Sequence, residues 1–137
     1  MNQPYDKTRY QFVTGAFTWT AIDLVLAALS GTPDFVPGDT QIASIVGRGG
    51  VVLGYSQPIL NKTVVPDGTV QTGPVVIPTV PVGPDITWFV LAKRFITPNL
   101  SEPIYFIDDA YTLPFTPNGL DVIVQPDWLQ QRGWFRG

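Results

Sequence analysis

The sequence predicts a mainly β protein: an antiparallel β-sandwich or partly open barrel of about seven or eight short strands with two short helices. Three observations carry this. The 137 residues include 14 prolines and 13 glycines, spaced as turn punctuation along the chain. Between them lie short runs rich in β-branched and aromatic residues, such as "VVLGY", "WFVLA" and "DVIV". The composition is 45% hydrophobic and 12% aromatic but only 14% charged, against about 25% charged in an ordinary globular chain. Disorder needs the opposite balance. The length is that of one domain, residues 1–137, burying roughly 70% of its unfolded surface without help from metal or disulfide. Low charge also raises the prospect that some apolar surface is covered by neighbouring copies or partners.

The elements follow in order. "PYDKTRYQFVT", residues 4–14, sets Tyr5, Arg9, Phe12 and Val13 at helical spacing with Gly15 as a stop. Residues 20–29 are ambiguous in composition, but Ile22, Leu24, Leu26 and Ala28 alternate in the strand manner. Asp39 is placed to cap a short helix carrying Ile42, Ile45 and Val46. "GRGG" at 47–50 is a tight turn opening the strand "VVLGYSQPI". Pro66-Asp67-Gly68 turns one short strand back on another. "PVVIPTVPVGP", residues 74–84, is β-branched but repeatedly interrupted by proline, hence an edge strand or extended arm. "DITWFVLAKRF", residues 85–95, is apolar on both faces and predicts the strand at the centre of the fold. "EPIYFIDD" and "LDVIV" are further strands, and the tail "WLQQRGWFRG" adds one last short strand.

Chemistry is sparse. With no histidine and no cysteine, imidazole bases, thiol nucleophiles and Cys/His zinc sites are excluded. The serines sit in no nucleophile motif, and "GRGG" lacks dinucleotide spacing. Asp108 and Asp109 are adjacent and cannot face one another on a strand; they read as turn formers, with a calcium site as the sharper alternative. The expectation is therefore no enzyme, no cofactor and no metal. The net charge of −3, with basic residues scattered, argues against nucleic acid. No signal segment and no apolar run of transmembrane length is seen, so the chain is expected to fold in a cytoplasm.

Trp19 and Trp88 lie within apolar runs and predict core positions. The tail, residues 126–137, is different. It gathers Trp128, Arg132, Trp134, Phe135 and Arg136, the aromatic–arginine mixture that protein interfaces enrich. These five are the candidate interface residues. Asp127 beside Trp128 offers a sugar contact as an alternative.

Four stretches taken together carry a resemblance. They are "YDKTRYQFVTGAFTW", "IDLVLAAL", "LNKTVVPDGTVQTGPVVI" and "LPFTPNGLDVIVQPDW". In this order the chain resembles a family of small structural proteins of tailed-bacteriophage virions. The hairpin motif is matched by Leu60, Lys62, Thr63, Val64 and Gly68, with one residue's slack. The loop motif is matched by Leu113, Pro114, Thr116, Pro117, Asn118, Gly119, Asp121 and Val124. The resemblance also favours a strand over a helix at 20–29. It departs at the Pro-rich "GTPDFVPGD" and at "PDWLQQRGW", where the family often has "W-D-N-G". It implies a non-enzymatic virion component made in the host bacterial cytoplasm. A capsid decoration or cement protein on the outside of the head is the leading expectation, with the major capsid protein or other virion proteins as partners. A homo-oligomer, by analogy a trimer, is expected, without nucleic acid or membrane. A neck, collar or tail component, or a displayed module binding a host glycan, is the alternative.

Overall fold

The computed structural model describes residues 2–16, 18–110, 113–125 and 133–136. It is mainly β, with short antiparallel strands and two helices. The strands are β1 (Gln3–Pro4), β2 (Leu24–Ser30), β3 (Val51–Tyr55), β4 (Thr63–Val64), β5 (Thr69–Gln71), β6 (Val75–Ile77), β7 (Trp88–Lys93), β8 (Glu102–Ile107), β9 (Val122–Val124) and β10 (Phe135–Arg136). The helices are α1 (Asp6–Thr14) and α2 (Ile42–Gly47).

One five-stranded sheet, ordered β1-β8-β7-β2-β3, is the frame, and β7 lies at its centre as expected. Successive side chains of a strand face opposite ways, so the apolar runs of β2 and β7 feed two cores. On one face Leu24, Leu26, Ala28, Phe89 and Leu91 meet Val75, Ile77, Val122 and Val124 of the β6–β9 ribbon, together with Trp19 and Trp134. On the other, Val25, Ala27, Leu29, Trp88, Val90 and Phe106 meet Ile42 and Ile45 of α2 and the ring of Tyr5. Trp19 and Trp88 are both core residues. The arrangement is sandwich-like, and among the described residues no sheet closes into a barrel.

The edges of the frame differ. β1 is two residues long and carries Pro4, while β3 has five uncharged residues. The three-stranded sheet β10-β5-β4 is built on the Asp67-Gly68 turn. There Asp67 Oδ1 accepts from Thr69 N at 2.9 Å and Gly68 adopts φ 90°. The Pro-rich stretch contributes β6, which pairs with β9 of its own chain. Close packing fixes the ribbon over β3: a Cβ at Gly54 would stand 2.9 Å from Ile77 Cγ2.

Several boundaries differ from the sequence reading. The strand expected at 20–29 begins only at Leu24, because Trp19–Ala21 forms a 3-10 turn. That turn buries the Trp19 indole, whose Nε1 donates to the Gln71 carbonyl at 3.1 Å. α1 starts at Asp6 because Gln3 and Pro4 are drawn onto β8. Gly15, at φ 74°, ends the helix as expected, but Val13 faces solvent. Asp39 does not cap α2: the helix begins at Ile42 after Gln41, and the Asp39 carboxylate is bound to Arg48 instead.

Candidate docking surface

The sequence-predicted interface residues separate. Trp128 and Arg132 lie outside the described residues, as does Asp127. Phe135 and Arg136 form β10, pairing with Val70 and Thr69 of β5. Trp134 is the correction. Expected at a surface, it is 2% exposed and belongs to the core. Its Nε1 donates to Thr72 Oγ1 at 2.8 Å, and its backbone N–H donates to Val70 O at 2.9 Å. Aromatics beside arginine suit a core edge as well as an interface, and composition does not say which way a ring points.

Exposed apolar residues are spread over the molecule, Tyr10, Val13 and Leu60 among them, and two groups of them lie on loops at the ends of the sheet. β7 ends at Lys93, β8 begins at Glu102, and the loop between them is a projecting tip. Its base is rigid: Arg94 N donates to Asp23 O, Phe95 N to Ser101 Oγ, and Ile42 N of α2 to Ser101 O. A 3-10 turn at Pro98–Leu100 folds the middle back. With the backbone held in this way, the side chains are thrown outward. Ile96 is 100% exposed and Phe95 43%. Together with Leu100 and Arg94 they line a shallow groove of about 440 Å³. Arg94 has no ion pair among the described residues.

A second apolar patch sits at the opposite end of the sheet, on the loops that lead into β7 and β9. Val82 is 76% exposed and Leu120 66%. The loops that carry them are pinned to one another: Val80 N donates to Leu120 O, and Gly119 N to Val80 O. They are tied to the sheet by Ile86 and Phe115, which exchange backbone hydrogen bonds at 2.7 and 2.8 Å. Sequence reasoning missed both patches. The apolar residues are visible in the sequence, but the run reads as strand through Phe95, and exposure depends on where β7 stops.

The charged groups form a clasp. Arg48 donates through Nη1 and Nη2 to the two oxygens of the buried Asp39, at 2.8 and 2.6 Å, and through Nε to Asp34 at 3.0 Å. The bonds to Asp39 hold the guanidinium firmly protonated, its pKa raised further above the ordinary value. They fasten the Pro-rich loop, whose Pro37 carbonyl receives the N–H of Asp6 at the start of α1. Beside the clasp, Tyr5 is fully buried and its hydroxyl has no hydrogen-bond partner among the described residues. Burial first, and the nearby Asp39 charge second, push its pKa well above the ordinary value. The backbone N–H groups of Asp108 and Asp109 both donate to Asn2 Oδ1, tying the end of β8 to the chain beside β1. Among the described residues no group of three acidic, histidine or cysteine side chains is arranged to hold a metal, and no helix is long and apolar enough to cross a membrane.

The fold and this surface define a class: a mainly β, antiparallel, sandwich-like protein with an apolar patch at each end of its central strand. No family model, no curated protein and no solved structure matches the chain.

Proposed function

We propose that this chain is a non-enzymatic structural component of a tailed-bacteriophage particle. In this reading it decorates the outside of the head and bridges neighbouring subunits by protein–protein contacts. The resemblance of the hairpin and loop motifs supports the virion assignment. One structural observation supports the bridging role: rigid loops carry large exposed apolar side chains at two opposite ends of the sheet, Ile96 and Phe95 at one and Val82 and Leu120 at the other. A molecule with two such ends can touch two neighbours at once. Stiff loops lose little entropy on docking, and each bound copy favours the assembled shell by mass action.

The test is incorporation of Ile96→Glu into particles, read by gold labelling of purified virions with an antibody against the chain. Ile96 is fully exposed, so the variant is expected to keep wild-type stability to within about 0.5 kcal/mol. It should nevertheless be lost from virions, while wild-type label spreads over the head. Incorporation of the variant at wild-type level sinks the role of this tip. Wild-type label confined to one vertex or the tail replaces head decoration with a neck, collar or tail position.

A further inference from the structure

We propose that Asn118 is a latent deamidation site held unreactive by the docking of the 78–82 loop, so that its conversion records opening of this end of the fold. The reaction is intrinsic to an Asn-Gly pair. The Gly119 nitrogen attacks Asn118 Cγ, the Cγ–Nδ2 bond breaks, and ammonia leaves carrying the proton lost by the nitrogen. Water then opens the cyclic imide to aspartate or isoaspartate. The attacking nitrogen must be free to lose its proton and to turn toward Cγ. Glycine at 119 supplies the unhindered nitrogen, and Asn118 is exposed to solvent.

In the folded chain that nitrogen is occupied. Gly119 N–H donates to the Val80 carbonyl at 3.0 Å, and Val80 N–H returns a bond to Leu120 O at 3.2 Å. The Asn118 side chain is held as well, with Oδ1 accepting from Leu120 N at 3.1 Å. Thr79, at an unusual φ of 43° for a residue other than glycine, donates its N–H to Asp121 Oδ1 at 2.8 Å. These contacts clamp the 79–80 and 118–121 segments together, and Val80 comes from a distant part of the chain. Reaction at Asn118 therefore waits for a tertiary opening.

Asp67-Gly68 provides an internal contrast. Gly68 N–H is likewise bound, to Val65 O at 2.8 Å, and Asp67 Oδ1 accepts from Thr69 N. Both of these bonds lie within residues 65–69, so opening of the 78–82 loop does not break them. On the docking reading above, the carboxylate formed at 118 would fall beside Leu120 and Val82 and mark opened chains against assembly. The chemistry itself is measured without any partner.

The experiment follows acid and isoaspartate formation at Asn118 by peptide mass spectrometry during incubation at mildly alkaline pH. It compares the folded chain, the chain in urea, a synthetic peptide of residues 113–124, and Asp121→Ala, with folding monitored by circular dichroism. The folded chain should react more slowly than the peptide and the urea-unfolded chain by about tenfold or more. Folded Asp121→Ala should fall between, with isomerisation at Asp67 unchanged. Equal rates in folded chain and peptide overturn the proposal, with or without a folded variant. A folded Asp121→Ala that reacts no faster than wild type removes the 78–82 loop as the gate.

Discussion

Trp134 donates its indole N–H to Thr72 Oγ1 across 2.8 Å, fastening the last described strand beside β5 and one of the two cores. The ring is buried with Trp19 and Val70 on the face covered by the β6–β9 ribbon. Trp134→Ala removes a large core side chain and leaves Thr72 without its donor. The expected loss is about 3–5 kcal/mol, read as a lower urea midpoint. A truncation that removes residues 128–137 takes this anchor too, so its loss from particles would report damaged folding as much as a missing interface. Ile96→Glu avoids that confusion.

Asp39 and Arg48 give a second prediction. Asp39 is buried, while the Arg48 side chain is 36% exposed and keeps Asp34 as a partner. Asp39→Ala therefore costs a charge-assisted pair without stranding a buried guanidinium, about 1–2 kcal/mol. Because the clasp holds the loop that presents Pro37 O to Asp6 N, amide exchange at Asp6 should quicken more than exchange in β7.

Tyr5 predicts a pH dependence. Its folded-state pKa is raised above the ordinary 10.0 by burial, so the unfolded chain ionises first. The contribution of the neutral phenol is fully present below pH 10 and is lost as pH rises through the folded value. Tyr55 and Tyr105 are raised in the same direction by burial and add to the slope. Tyr5→Phe removes a buried hydroxyl that has no partner among the described residues, so at pH 7 stability should change by less than about 1 kcal/mol. Above pH 10 the variant should lose stability less steeply than wild type, as followed by urea midpoints across the alkaline range. A wild-type slope in the variant would assign the effect to the other tyrosines.

The central strand was legible because burial on both faces leaves a mark: Trp88, Val90 and Ala92 point one way and Phe89 and Leu91 the other, and all are apolar. The Asp67-Gly68 turn was legible because its side-chain acceptor and positive φ are local properties. Asp39 shows the limit. As a helix cap it was a sound local inference, but Arg48, on the far side of α2, competed for the same oxygens and won. Trp134 shows it again, since tryptophan near arginine describes a neighbourhood without giving a direction.

By itself, then, the sequence determined the class of fold, the centre of its sheet and most of its turns, because periodicity, β-branching and glycine act over a few residues. Only the tertiary structure decided which apolar side chains were left outside. Phe89 and Phe95 are both phenylalanines of one short stretch, yet the first is in the core and the second is on the tip. The difference arises because β7 lets go of its neighbours after Lys93, where the Asp23 carbonyl catches Arg94 N and Ser101 Oγ catches Phe95 N. Asp23 comes from a distant part of the chain and Ser101 returns only after the turn at Pro98–Leu100, so the alternation of residues up to Phe95 does not encode them.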